Sequence, residues 1–153
     1  MKKSVELFMD AVENAGRTWV EAIKKEVAEQ NDKKEKLKTL AAGYAMGTKD
    51  YPESLSVYID LWKIVKDKNN EYVKTRLKNI YNFYISEFYN IIKQIDNISV
   101  KDEEIHSFST WMTVLSDVLH IQSITLENDI DLKSIQSVIE KIAVLFFLGD
   151  SNE

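Results

Sequence analysis

Two acid–imidazole pairs are the residues best spaced for chemistry. Glu103-x-x-His106 and Asp117-x-x-His120 each set a carboxylate three residues before a histidine. On a helix that spacing brings both side chains to one face. Glu-x-x-His is also the spacing with which helical bundles hold a pair of iron ions. Here both copies fall on one predicted helix, 14 residues apart, or ~21 Å along its axis. One metal pair cannot reach both, and Glu87 is the single glutamate bordering a core face elsewhere. The apolar periodicity puts His106, Thr113, Asp117 and His120 on the polar side of their helix, so no metal and no cofactor are expected.

Nucleophilic catalysis fares no better. Ser107, Ser109, Thr110, Thr113 and Ser116 accompany the histidines, but a row of hydroxyls on one helix lacks a strained elbow and an oxyanion donor set. The chain has no cysteine, which excludes disulfides, thiolate chemistry and zinc–cysteine sites. Gly16, Gly43, Gly47 and Gly149 fit no phosphate-binding fingerprint. The expectation is a protein that is not an enzyme.

Cations and aromatics offer two further readings. Lys33, Lys34, Lys36 and Lys38 form one basic cluster; Lys74, Arg76 and Lys78 form another beside Tyr72 and Tyr81. Rings between cations can stack bases while the cations hold phosphates. Against this, Glu35 and Glu71 interleave, and arginine, the bidentate phosphate binder, occurs only as Arg17 and Arg76. Net charge is −5, and residues 97–153 carry three basic against ten acidic side chains, poor company for a phosphate backbone. The second reading is a protein-binding stripe. Tyr72, Arg76, Phe83 and Asn90, with Gln94, fall on one side of the fourth predicted helix, away from its core face. Tyr and Arg are enriched where proteins bind one another. Another helix of the same domain could also cover this stripe.

The elements that must position these residues are helices. With Gly at 4 and Pro at 1 in 153 residues, breakers are too few for a turn-rich sheet. Hydrophobic residues at 44% suffice for a core. Six helices are predicted. The first spans residues 3–30, with Val5, Met9, Val12, Gly16, Val20, Ile23 and Val27 at helical spacing; Gly16 predicts a close approach of another helix. The second is capped by Asp32, with Glu35 placed to return the bond; it carries Leu37, Leu40, Ala41, Tyr44 and Ala45, stops at Gly47, and is expected at the periphery. Gly43 and Gly47, four apart, mark a tight crossing. The third opens at Asp50 and Pro52 and is apolar at Leu55, Val57, Tyr58, Leu61, Trp62 and Val65.

The fourth, residues 70–96, packs the most apolar and aromatic bulk of the chain into one short run, Ile80 to Ile95, and is expected at the centre. The fifth starts at Ser99 or Asp102 and ends near Gln122. Its core face reads Ile105, Phe108, Trp111, Met112, Leu115, Val118 and Leu119. The sixth follows a cap cluster at 128–131, turns Ile135, Val138, Ile139, Ile142, Leu145 and Phe146 inward, and stops at Gly149. Residues 151–153 form a short polar tail.

No repeat and no long linker divides the chain, so residues 1–150 are expected to form a single all-α domain, a bundle of about six helices around an aromatic-rich centre. No stretch reaches the ~20 apolar residues of a membrane span. Glu6, Asp10 and Glu13 interrupt what would have to be the apolar core of a signal peptide. A cytoplasmic location is expected by elimination. The function that remains is a small non-enzymatic interaction protein: an adaptor, an inhibitor or a small subunit of a larger assembly. Its partner would be a protein or a second copy, through Tyr72, Arg76, Phe83 and Asn90. The alternative is a nucleic-acid-associated subunit contacting phosphates through Lys74, Arg76 and Lys78.

Overall fold

Helix ends in this chain are set by local chemistry. In the computed structural model, which describes residues 2–47, 63, 70–125 and 131–149, the helices are α1 (Lys2–Ala28), α2 (Lys33–Met46), α3 (Glu71–Lys93), α4 (Asp102–Thr125) and α5 (Leu132–Leu148). Asp32 caps α2 by accepting the Glu35 N–H at 3.1 Å. The reciprocal bond of a capping box is replaced: the Glu35 carboxylate takes Lys38 at 2.7 Å instead. Asn70 caps α3 through the Val73 N–H, and Asp131 caps α5 through the Ser134 N–H. Gly47 and Gly149 end α2 and α5 with φ of 69° and 72°, in the left-handed region where a Cβ is unfavourable. The predicted third helix, with Leu55 to Val65, lies outside the described residues.

Side-chain contacts fix the directions. Arg76 of α3 meets Asp10 and Glu13 of α1, Arg17 lies over Phe83, and Lys24 pairs with Glu87. Contacts that advance together along both helices mean that α1 and α3 run the same way. Lys93 pairs with Asp102 at 2.8 Å across the turn into α4, and Phe88 meets Phe108, so α3 and α4 run in opposite directions. α5 returns and packs on α2.

The centre is not where the hydropathy puts it. α2, expected at the periphery, packs against α1, α4 and α5 and buries Leu37, Leu40, Ala41, Gly43, Tyr44 and Ala45. Its apolar face looks small in sequence because its residues are small. Small side chains are what let three helices approach one another: a Cβ at Gly43 would stand 2.9 Å from Ile23 Cγ1. α3 supplies the bulk beside it. Tyr44 touches Trp19 (5.1 Å between ring centroids) and Phe88 (4.8 Å), Phe88 touches Phe108 (6.0 Å), and Phe108 touches Phe147 (4.9 Å). One run of rings thus crosses all five described helices.

α4 and α5 are rotated relative to expectation. α4 turns Ile105, Phe108, Met112 and Leu119 inward together with Ser109, Thr113 and Ser116, and it leaves Trp111, Val114 and Val118 exposed. The buried hydroxyls cost little, because Ser109 donates to Ile105 O at 2.7 Å and Thr113 to Ser109 O at 2.9 Å. α5 buries Ile139, Ala143, Val144 and Phe147. Val138, Ile142, Leu145 and Phe146, expected inside, face outward. α4 ends at Thr125, a turn beyond the expected Gln122.

Candidate functional site

The stripe on α3 is stitched to its own chain at one end. Arg76 donates through Nη2 to Asp10 at 2.7 Å and through Nε to Glu13. Nη1 donates to the Tyr72 hydroxyl at 2.7 Å. These carboxylates hold the guanidinium charged, far above any accessible pH. Phe83 is half-buried; the Arg17 guanidinium carbon sits 4.7 Å from its ring centroid. The cover over Phe83 that periodicity could not name is therefore partly internal, and it comes from α1. Tyr72 stays 39% exposed. Asn90 is exposed two turns further on, bonded only loosely to Glu87 at 3.4 Å. Between α1 and α3 lies an open cleft of about 250 Å³, lined by Glu13, Arg17, Arg76, Asn79, Ile80, Phe83 and Tyr84. Of the stripe, the cleft brings together Arg76 and Phe83 and leaves Asn90 apart.

The phosphate-binding alternative loses its strongest cation to the same contacts. Arg76 is engaged by two carboxylates, and Lys74 pairs with Glu71 at 3.4 Å. Lys78 is exposed.

The two acid–imidazole pairs separate. Glu103 and His106 face solvent near the start of α4. Asp117 and His120 do not lie on a wet face, which corrects the sequence reading. The rotation that exposes Trp111 carries them towards α3 and the end of α2. Burial pushes the Asp117 carboxyl up to about 6, against the pull of the Tyr81 hydroxyl, which favours the charged form. Burial lowers the His120 imidazole, against hydrogen bonds to the backbone at Ser116 and Met46 that favour its charged form. His120 Nδ1 lies 2.7 Å from Ser116 O. One acid and one imidazole on one helix, each facing backbone or a phenol, make no ligand set. Among the described residues no three His, Asp or Glu side chains converge on a point.

A larger surface was missed in sequence. Trp111, Val114 and Val118 of α4 are exposed by 40%, 56% and 43%, and Val138, Ile142, Leu145 and Phe146 of α5 by 38–54%. The Phe108 ring bridges the two rows, 5.3 Å from Trp111 and 4.7 Å from Phe146. The two rows therefore meet at the Phe108 ring, where α4 begins and α5 finishes. The signal for this surface was present: between 105 and 119, α4 carries apolar residues over about half its circumference, more than one neighbour can cover.

Among the described residues no helix is long and apolar enough to cross a membrane. Comparison with protein-family models, with curated proteins and with solved structures finds nothing similar to this chain.

Proposed function

We propose that this chain is a small non-enzymatic interaction protein, an adaptor, an inhibitor or a small subunit of a larger assembly. The observation that carries this reading is the apolar face of α4 and α5, with large side chains from Trp111 to Phe146 held open to water on regular helices. Monomers seldom keep so contiguous an apolar patch exposed without a use for it. The chemistry weighed above agrees: among the described residues Arg76 is taken by Asp10 and Glu13, and Asp117 and His120 face a phenol and backbone.

Site-specific photo-crosslinking in the native host tests this. A photoreactive residue at Val114 or Leu145 should give discrete cross-linked species, and one at the exposed polar Ser86 on α3 should not. Equal, diffuse labelling from all three positions would remove the apolar face as an interaction surface.

A further inference from the structure

We infer that the apolar face of α4 and α5 is a self-association surface whose occupant is the same face of a second copy of this chain. The inference rests on the interaction reading above and adds the partner. The Phe108 ring links the rows of α4 and α5 at one end. With the usual areas of their residue types, the exposed parts of its seven side chains amount to roughly 600 Å², the upper end of the largest patch on a monomer and close to the ~800 Å² per partner of a stable interface. A polar rim supplies the remainder.

Charge points the same way. Exposed polar residues bordering the face include Ser107 and Gln122 on α4 and Ser134, Ser137 and Lys141 on α5, with Glu104 at the start of α4 and Asp131 at the α5 N-cap near its two ends. The carboxylates of α4 stand at its first turn or, as Asp117, face Tyr81. A face with so little charge offers a foreign partner no charge pattern to read. It also sets almost no like charge against a second copy, despite the acidic balance of the C-terminal third. Homodimer interfaces are the apolar class of interface, and a twofold axis needs only one self-complementary patch.

Sedimentation velocity and light scattering from about 1 to about 100 μM decide the matter. The wild type should approach twice the 17.8 kDa chain mass. Val114→Glu/Leu145→Glu should sediment as one chain with unchanged helical circular dichroism and a melting temperature that no longer rises with protein concentration; Val118→Lys/Val138→Lys repeats the test with opposite charge. A wild type that stays at one chain mass overturns the inference. If the charged variants then also melt earlier, the face is covered by another part of the same chain. If Val114 cross-links to a different protein, the interaction reading stands and the second copy does not. Charged variants that fold and keep twice the chain mass also overturn it, by placing the dimer contact elsewhere.

Discussion

The Tyr84 ring lies directly on the backbone of Gly16. A Cβ at Gly16 would stand 2.9 Å from Tyr84 Cζ and closer still to the hydroxyl oxygen. α1 continues as a helix through this glycine, so its role is close approach and not a kink. Alanine at 16 should favour the helix by about 1 kcal/mol, but the collision costs about 1–3 kcal/mol. Gly16→Ala should therefore lower stability by up to about 2 kcal/mol in urea unfolding. Tyr84→Phe removes the colliding oxygen, so the double variant should lose less than the two single losses combined. Strict additivity would mean that the helices separate freely here.

Arg76 ties α3 to α1 through two carboxylates. Arg76→Ala should cost about 1–2 kcal/mol, more than an ordinary surface pair, because both acids lose their partner. Lysine cannot serve Asp10, Glu13 and Tyr72 at once, so Arg76→Lys should recover less than half. The loss should shrink at high salt. Unchanged urea midpoints for both variants would show that the α1–α3 seam is held without the Arg76 contacts.

Tyr44 is fully buried, and its hydroxyl donates to Tyr84 O at 2.9 Å. Burial drives its phenol above the usual range, so it remains a donor at every pH at which the fold survives. Tyr44→Phe should cost about 1 kcal/mol, the worth of one buried hydrogen bond. Tyr44→Ala should cost about 3–5 kcal/mol, because it opens a cavity where α1, α2 and α3 meet. Thermal melts of the two variants separate ring from hydroxyl.

Asp117 makes stability depend on pH in an unusual direction. Its folded carboxyl titrates near 6 and its unfolded one near 3.8. The folded state thus holds the proton more tightly, and the stabilisation by protonation, complete below about 4, is lost as pH rises through about 6. At pH 7 the buried carboxylate costs about 2–3 kcal/mol. His120 works in the opposite sense: burial depresses its folded value, so its contribution, present above its unfolded value near 6.5, is lost as pH falls. Asp117→Asn should raise the melting temperature at pH 7 to 8 and leave it nearly unchanged at pH 4, where the native carboxyl is already neutral. A variant less stable than wild type at pH 8 would show that the charge is needed.

The helical class and most helix ends were legible without coordinates, because both are local properties. Asp32, Asp131, Gly47 and Gly149 act through bonds and dihedrals within a few residues of themselves, and the scarcity of breakers leaves no sheet to build. The partners of the α3 stripe were not legible. Asp10, Glu13 and Arg17 are more than 60 residues from Arg76 and Phe83 in sequence, and no periodicity on one helix reports which helix lies beside it.

What only the tertiary structure decided is which side of α4 and α5 goes inward. Hydropathy ranks side chains by transfer free energy and would bury Trp111, Leu145 and Phe146 first. Packing ranks them also by shape. Ser109 and Thr113, satisfied by their own helix, and Ala143 fit against close neighbours where a Trp or Leu would hold the helices apart. The sequence by itself determined that these helices form and that they carry apolar residues on more than one side. Their neighbours selected for the core the side that interleaves small residues with Phe108, Met112 and Phe147, and left Trp111, Leu145 and Phe146 to water.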